Sequence, residues 1–313
     1  MPTALVAAVG GGAVGALLYV SVLFTGVGAL ILGYLAPLPL FLVGLWFGAA
    51  ATAVAGGAGA VLVLGATGSV MAMAGYLLTG AVPAAFVVRK ALLARQTASG
   101  DMEWYPPGLL LLGLTGLGIA AFGAAMLLTL GQPGGLEGVV RRALQGMAEQ
   151  FAAPGAPAPP PEAFWLAPVL PGVVVVSWLV MTIINATLAQ GLLMRFGRNR
   201  RPPMRLTELE FPGWVVLAFA GAVAAAMVLP GVLGFVALNV ALVLSLPFGL
   251  AGLSVVHAFA NRQSAKVALL VGFYLFLFLF GWPMILMIGL GVIEQWIGLR
   301  RRWARVGPDQ EDE

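Results

Sequence analysis

The chain has 313 residues, 61% hydrophobic and 9% charged, with a mean hydropathy of +1.01 and a formal net charge of +4. Soluble domains carry roughly 25% charged residues, so the composition excludes a water-soluble globular protein and selects a polytopic membrane protein. With no Cys and a single His, His257, it also excludes disulfides, thiolate metal centres, cysteine nucleophiles and multi-histidine metal sites; no cofactor and no metal are expected.

The first 88 residues contain no Asp, Glu, Lys, Arg, His, Asn or Gln, and Arg89 is the first charged side chain. The N-terminus lacks the basic region of a signal peptide and reads as an uncleaved first span. A crossing needs about 20 apolar residues, so 4–88 holds three or four spans. Breaks are expected at Thr25–Gly28, at Ala36-Pro37-Leu38-Pro39, where proline removes an amide donor, and around Gly65–Gly68. A loop over Arg89–Tyr105 follows, then a span over Leu109–Leu130.

Leu136, Val139, Val140, Ala143, Leu144, Met147 and Phe151 recur at helical spacing, with Glu137, Arg141, Arg142, Gln145 and Glu149 on the other face. This pattern predicts an amphipathic helix, either lying along the outer interface or packed over the bundle, with a lid as the sharper version. The run AAPGAPAPPPE then favours extended structure. Further spans are expected over Trp165–Met194, Phe211–Leu229 and Val232–Ala260, the last kinked at Pro247. A closing hairpin of two spans, Val267–Phe280 and Pro283–Leu299, turns at Gly281-Trp282-Pro283.

The expected fold is therefore all-α: a transmembrane helix bundle of about nine or ten spans with one outer amphipathic helix. Its parts are a Gly/Ala-rich block (1–88), a loop plus one span (89–130), an external segment (131–164), a C-terminal membrane block (165–303) and a solvated acidic tail (304–313). The basic loops Arg89–Arg95, Arg195–Arg205, Arg262–Lys266 and Arg300–Arg305 are expected on the cytoplasmic side of a bacterial inner membrane, together with the C-terminus. The basic residues sit in short gaps between apolar runs rather than in a nucleic-acid footprint, so the partner is the lipid bilayer and not nucleic acid. Trp104, Trp165, Trp282, Trp296 and Trp303 fall at span ends, as interfacial anchors do.

Motifs for chemistry are scarce. Gly10–Gly15 fits GxGxxG by spelling, but no strand precedes it and no acid follows near the required spacing. Ala4/Ala8, Gly11/Gly15 and Gly44/Gly48 are small residues one turn apart, the pattern that lets helices approach closely. They pack either within the chain or against a partner subunit. No Walker A motif, nucleophile elbow or buried nucleophile–base pair is present, so no enzyme is expected.

The remaining candidates are the few polar groups at depth. Asn185 lies about 15 Å from the basic end of its span at 1.5 Å per residue, with Trp178 and Thr182 on the same face. Asn239 lies in another span. Glu294 is the one acid within a predicted span. An ionisable group at that depth is a site by default, or else it pairs with Arg262, Arg301 or His257 at the interface. For the two asparagines the alternative is an interhelical hydrogen bond. His257, with Asn261 one turn on, caps a helix end or relays protons.

The order Ile183-Ile184-Asn185 and Leu188-Ala189 before an Arg-rich loop, Asn239, Pro247-Phe248-Gly249-Leu250-Ala251, His257 and a hairpin closing on Arg300-Arg301-Arg302 resembles the YybS-like bacterial membrane proteins, a family of unknown function. Ala36-Pro37-Leu38-Pro39-Leu40 followed by Gly44, Gly48, Gly56, Gly57 and Gly59 looks like the Gly-rich substrate-binding subunits of energy-coupling-factor vitamin transporters, although those have fewer spans. The resemblance implies a transporter-type chain that captures a small molecule and works with energising or assembly subunits. The alternative is a non-transporting scaffold whose Arg clusters hold lipid or a partner. On the transporter reading the pocket is expected between the Asn185 and Asn239 spans.

Overall fold

In lipid every backbone amide and carbonyl must be paired inside the chain, which leaves helices as the form for apolar segments of this length. The computed structural model describes residues 2–23, 27–151, 160–300 and 302. Among them the fold is all-α apart from one short hairpin. Six helices are long and apolar enough to cross a membrane: Pro2–Leu23, Ala49–Thr67, Val70–Ala91, Pro107–Leu128, Leu170–Arg195 and Gly231–Ala260. Their outward faces are apolar, with Leu17 72%, Met71 81% and Leu128 85% exposed, as a lipid-facing surface requires.

The contacts divide the chain into two units, Met1–Leu114 with Ser177–Met204, and Thr115–Val176 with Arg205–Glu313. Two of the three divisions fall inside long helices, and the third, between Met204 and Arg205, in the Arg-rich loop.

The first unit holds α1 (Pro2–Val20), α2 (Val27–Tyr34), α3 (Leu38–Phe47), α4 (Ala49–Thr67), α5 (Val70–Tyr76) and α6 (Val82–Ala91). It also takes the start of α7 (Pro107–Leu128) and the end of α9 (Leu170–Arg195). The turn at 35–37 stands where the Pro37/Pro39 pair predicts it. Gly68, at φ +63°, ends α4 in the left-handed region, where glycine carries no Cβ penalty. Ser69 then caps α5 by accepting the Ala72 amide at 3.2 Å. Residues 24–26, inside the break expected at Thr25–Gly28, and most of the proline-rich run and the acidic tail lie outside the described residues.

The N-terminal block thus contains three full-length candidates and the shorter apolar segment Ile31–Phe47. Tyr76, 1% exposed, is wedged between glycines of α1 and α4. A Cβ on Gly59 would strike its hydroxyl, and one on Gly15 would lie 3.0 Å from it. The Tyr19 ring meets Tyr76 edge-on at 5.4 Å.

The loop expected over Arg89–Tyr105 proves to be largely structured. α6 runs to Ala91, and β1 (Ala94–Gln96) pairs antiparallel with β2 (Met102–Trp104) in the register Arg95↔Glu103. The Thr97 amide donates to the Asp101 carbonyl at 2.9 Å and Gly100 supplies a φ of +88°, which closes the turn. Ala94, Gln96, Met102 and Trp104 share one face and Arg95 and Glu103 the other, and strands of three residues are too short for this alternation to mark them in the sequence.

The second unit holds α8 (Gly135–Phe151), α10 (Trp214–Val228), α11 (Gly231–Ala260), α12 (Lys266–Phe280) and α13 (Pro283–Ile297), with the rest of α7 and α9. The amphipathic helix forms where its periodicity places it, and Pro247 lies inside an unbroken α11. Two expectations need correction. The segments read as a hairpin of two spans are helices of 15 residues each, bent by 119° at Gly281–Trp282. Each is about 22 Å long at 1.5 Å per residue, short of a hydrocarbon core of about 30 Å, so the pair counts as one broken span or a re-entrant loop. α10 is likewise only 15 residues long, because Pro212 and Pro230 bracket it. Where composition predicts nine or ten spans, six helices, or seven spans with the bent pair, meet the length and composition of a crossing among the described residues.

Candidate functional site

α9 carries three of the sequence candidates, and each is engaged within the first unit. Pro83 has no amide proton, so the carbonyl four residues back, that of Thr79, loses its usual helical donor. The backbone widens there into a π-turn over Leu77–Ala81. The Trp178 indole N–H donates to that Thr79 carbonyl at 2.8 Å. Thr182 donates to the Trp178 carbonyl at 2.8 Å. Asn185, 1% exposed, donates to the Tyr34 and Met181 carbonyls, each at 2.8 Å. Its side-chain oxygen is buried and has no partner among the described residues.

Asn239 belongs to the second unit and is 0% exposed. It donates to the Pro168 carbonyl at 2.9 Å and the Phe235 carbonyl at 2.8 Å, and accepts the Gly172 amide at 2.6 Å. Both amide protons and the carbonyl oxygen are thus used, and they fasten the start of α9 to α11. Asn185 and Asn239 fall in different units, and each finds its partners in its own.

Among the described residues Glu294 is buried against Arg300 at 2.8 Å and not against Arg262 or His257; Arg301, the other partner expected, lies outside the described residues. The Glu294 carboxylate also accepts the Leu299 amide at 2.8 Å. The cause is local. α13 ends at Ile297 on left-handed Gly298, which swings the next amides back over the carboxylate. Arg300 continues to the carbonyls of Thr207 at 2.9 Å and Leu209 at 2.6 Å, so acid and base together seal this end of the second unit. His257 shares a hydrogen bond of 2.7 Å with the Tyr274 hydroxyl.

The small-residue candidates approach helices of this chain. A Cβ on Gly11 would lie 2.6 Å from Val43, and one on Gly44 would strike the Thr52 hydroxyl. Gly15 faces the Ala36 carbonyl, Ala8 is buried, Ala4 is half-buried, and Gly48 separates α3 from α4.

Sequence reasoning missed Arg201. It is 5% exposed and donates to the Ala91 carbonyl at 2.9 Å and the Tyr105 carbonyl at 2.8 Å. Trp104 lies beneath its guanidinium. Gln190 holds the Arg201 carbonyl at 2.8 Å. The two basic loops of the first unit are thereby one structure. On its outer edge Glu103 meets Arg95 at 2.7 Å, which holds that guanidinium above its ordinary pKa, by the hydrogen bond first and by charge second.

Beside this lock lies a cavity of about 250 Å³. Leu45, Val87, Leu114 and Met194 give it apolar walls, and Thr182, Thr187 and Gln190 line one side. Of the five binding candidates, Thr182 reaches it. Pocket surveys associate this pairing of apolar walls with a few polar groups with small-molecule sites. Among the described residues no group of His, Asp or Glu is placed to hold a metal ion.

No curated protein and no solved structure matches the chain. Residues 164–294, which hold Trp178, Thr182, Asn185, Asn239 and Glu294, match the family described as "Predicted membrane protein (DUF2232)", a likeness that agrees with the apolar helices on the membrane setting.

Proposed function

We propose that the chain is a transporter-type, non-enzymatic membrane protein that captures a small apolar or amphipathic molecule and has no ATPase of its own. The observation that carries this reading is the cavity of the first unit, whose wall on α9 places Thr182, Thr187 and Gln190 against apolar side chains. The resemblance of the Gly-rich N-terminal block to vitamin-binding subunits supports it. So does the absence of any nucleotide motif, which makes an energising subunit or an ion gradient the source of work. The bacterial inner membrane is the proposed setting, with the basic loops and the C-terminus on the cytoplasmic side.

Gly191 provides the test. It lines the cavity, and a Cβ there meets open space, so Gly191→Phe fills the site without a backbone clash. Purified protein is expected to show a ligand-induced thermal shift with some members of a metabolite panel, and Gly191→Phe is expected to abolish it. A panel without any shift, or shifts that survive the filled cavity, sinks the proposal.

One observation favours the scaffold reading instead. Asn239 and Glu294 have their hydrogen-bonding capacity occupied inside the chain. Co-purification separates the two readings: an ATPase module accompanies a transporter subunit, and a stable non-ATPase membrane partner accompanies a scaffold.

A further inference from the structure

A second recess in the first unit differs in kind from the small-molecule cavity. It is a groove of about 430 Å³ between α3 and the end of α9, lined by Leu42, Trp46, Leu192, Leu193, Phe196 and Arg198. Leu42 and Trp46 stand one turn apart on α3, and Leu192 and Phe196 one turn apart at the end of α9, so the apolar floor runs along both axes. At its rim a single charge is fixed by backbone geometry. Gly197, at φ +63°, ends the helix in the left-handed region, and the Arg198 amide returns to the Leu193 carbonyl at 2.8 Å. That turn sets the guanidinium 5.2 Å above the centre of the Trp46 ring.

A guanidinium held over a ring face spends no N–H donor on a carboxylate or carbonyl there, and its planar fork can meet a phosphate two donors at a time. Among the described residues the Arg198 side chain makes no hydrogen bond or ion pair; its partner is the indole ring. The surroundings are one-signed: the first unit has seven basic residues and two acidic ones, Asp101 and Glu103. Glu103 already pairs with Arg95. No acid occurs anywhere between Glu162 and Glu208. An apolar trough ending in an unneutralised, forked cation fits an amphiphile with an anionic phosphate head.

We propose that this groove binds an anionic phospholipid, with an acyl chain along Leu42, Trp46, Leu192 and Phe196 and its phosphate on Arg198. The site is independent of the small-molecule cavity, and either can fail without the other. Basic pockets at helix ends are a recognised mode of lipid-headgroup binding, and one well-placed arginine favours the anionic lipid about fivefold.

The full-length chain is placed in lipid nanodiscs containing phosphatidylglycerol with a photoreactive acyl chain, or phosphatidylcholine with the same chain. Crosslinked peptides are then located by mass spectrometry. The expected result is label on the segments holding Leu42–Trp46 and Leu192–Phe196, about fivefold stronger from the phosphatidylglycerol probe. Arg198→Gln is expected to reduce it to the phosphatidylcholine level, and Arg198→Lys to keep most of it. Equal labelling from the two lipids, label confined to other segments, or full labelling of Arg198→Gln overturns the proposal. So does loss of label on adding inorganic phosphate, which would assign Arg198 to the free anion. Should Arg198→Gln fail to fold, the wild-type ratio of the two probes and the Arg198→Lys variant decide the matter alone.

Discussion

Gly291 of α13 stands directly against Gly252 of α11: a Cβ on Gly291 would lie 2.9 Å from the Gly252 amide nitrogen and would strike the Phe248 carbonyl. In the reverse direction, a Cβ on Gly252 would strike the Met287 carbonyl. Lipid is as apolar as a leucine side chain, so helices here gain little from hiding hydrophobic surface. They associate by close backbone approach and polar contacts. Either glycine replaced by Ala must push backbone against backbone. Gly252→Ala and Gly291→Ala are each expected to destabilise the second unit by about 1–3 kcal/mol, the usual range for overpacking. Thermal midpoints in detergent test this, and Gly272→Ala, whose added Cβ meets open space, should leave the midpoint unchanged.

Arg201 fastens two loops by charged donors to neutral carbonyls, and hydrogen bonds of that type contribute about 1.5–3 kcal/mol. Lysine retains the charge but cannot reproduce a fork reaching Ala91 and Tyr105 together. Arg201→Lys is therefore expected to lower the thermal midpoint and to speed tryptic cleavage after Arg95 in the hairpin. Unchanged proteolysis would mean that the hairpin holds its place without the lock.

The Glu294–Arg300 pair has side chains 2% and 9% exposed. Removing one partner of a buried pair typically costs about 3–5 kcal/mol, chiefly because a charge is left stranded. Glu294→Gln and Arg300→Gln are each expected to be strongly destabilising, and the double variant to cost clearly less than the two added together. Additive single effects in this cycle would show that the pair does not couple.

The two asparagines should respond unequally. Interhelical hydrogen bonds in membranes average about 0.6 kcal/mol and reach about 1.7. Asn239 joins α11 both to the Pro168 carbonyl and to the Gly172 amide. Among the described residues Asn185 makes one such link, to Tyr34, and leaves its own oxygen without a partner. Leucine at 185 loses that link but also removes a buried orphan acceptor, whose desolvation costs about 1–3 kcal/mol. Asn239→Leu is thus expected to lower the midpoint well below that of Asn185→Leu, which should stay near wild type. The opposite order would show that Asn185 has a partner in solution.

Much of this was legible in advance where composition and proline placement govern. The charge-free first 88 residues, the turn before Pro39 and the stop at Gly68 all follow from local chemistry. The periodic face of Leu136 to Phe151 likewise forms its helix. Span number was overestimated because apolar character does not set helix length: Pro212, Pro230 and the Gly281–Pro283 turn cut three apolar stretches to 15 residues. Arg201 was hidden among five arginines of one loop. Nothing in the one-dimensional pattern tells the arginine that folds inward from those that stay solvated. Its signal lay in distant carbonyls, those of Ala91 and Tyr105. Glu294 was visible as an isolated acid, but its partner depended on the reversal at Gly298, which turns Arg300 back toward it. The polar wall of the cavity contains only Thr and Gln, residues that are ordinary in any helix.

The apolar stripe of the amphipathic helix α8 finds little cover among the described residues. None of its residues from 135 to 150 is buried, Met147 is 56% exposed, and its neighbour is the short turn Pro161–Phe164. Glu137 and Arg141 form an ion pair of 3.0 Å on the polar side. A stripe of this kind left in water is unfavourable, whereas the headgroup boundary accepts such a helix at a depth of about 5–10 Å. Nitroxide labels at Val140 and Met147 in nanodiscs should be accessible to oxygen and shielded from a water-soluble nickel chelate, with the reverse at Arg142 and Glu149. Labels that report water on both faces would place the helix clear of the membrane, and its stripe would then need a protein partner instead of lipid.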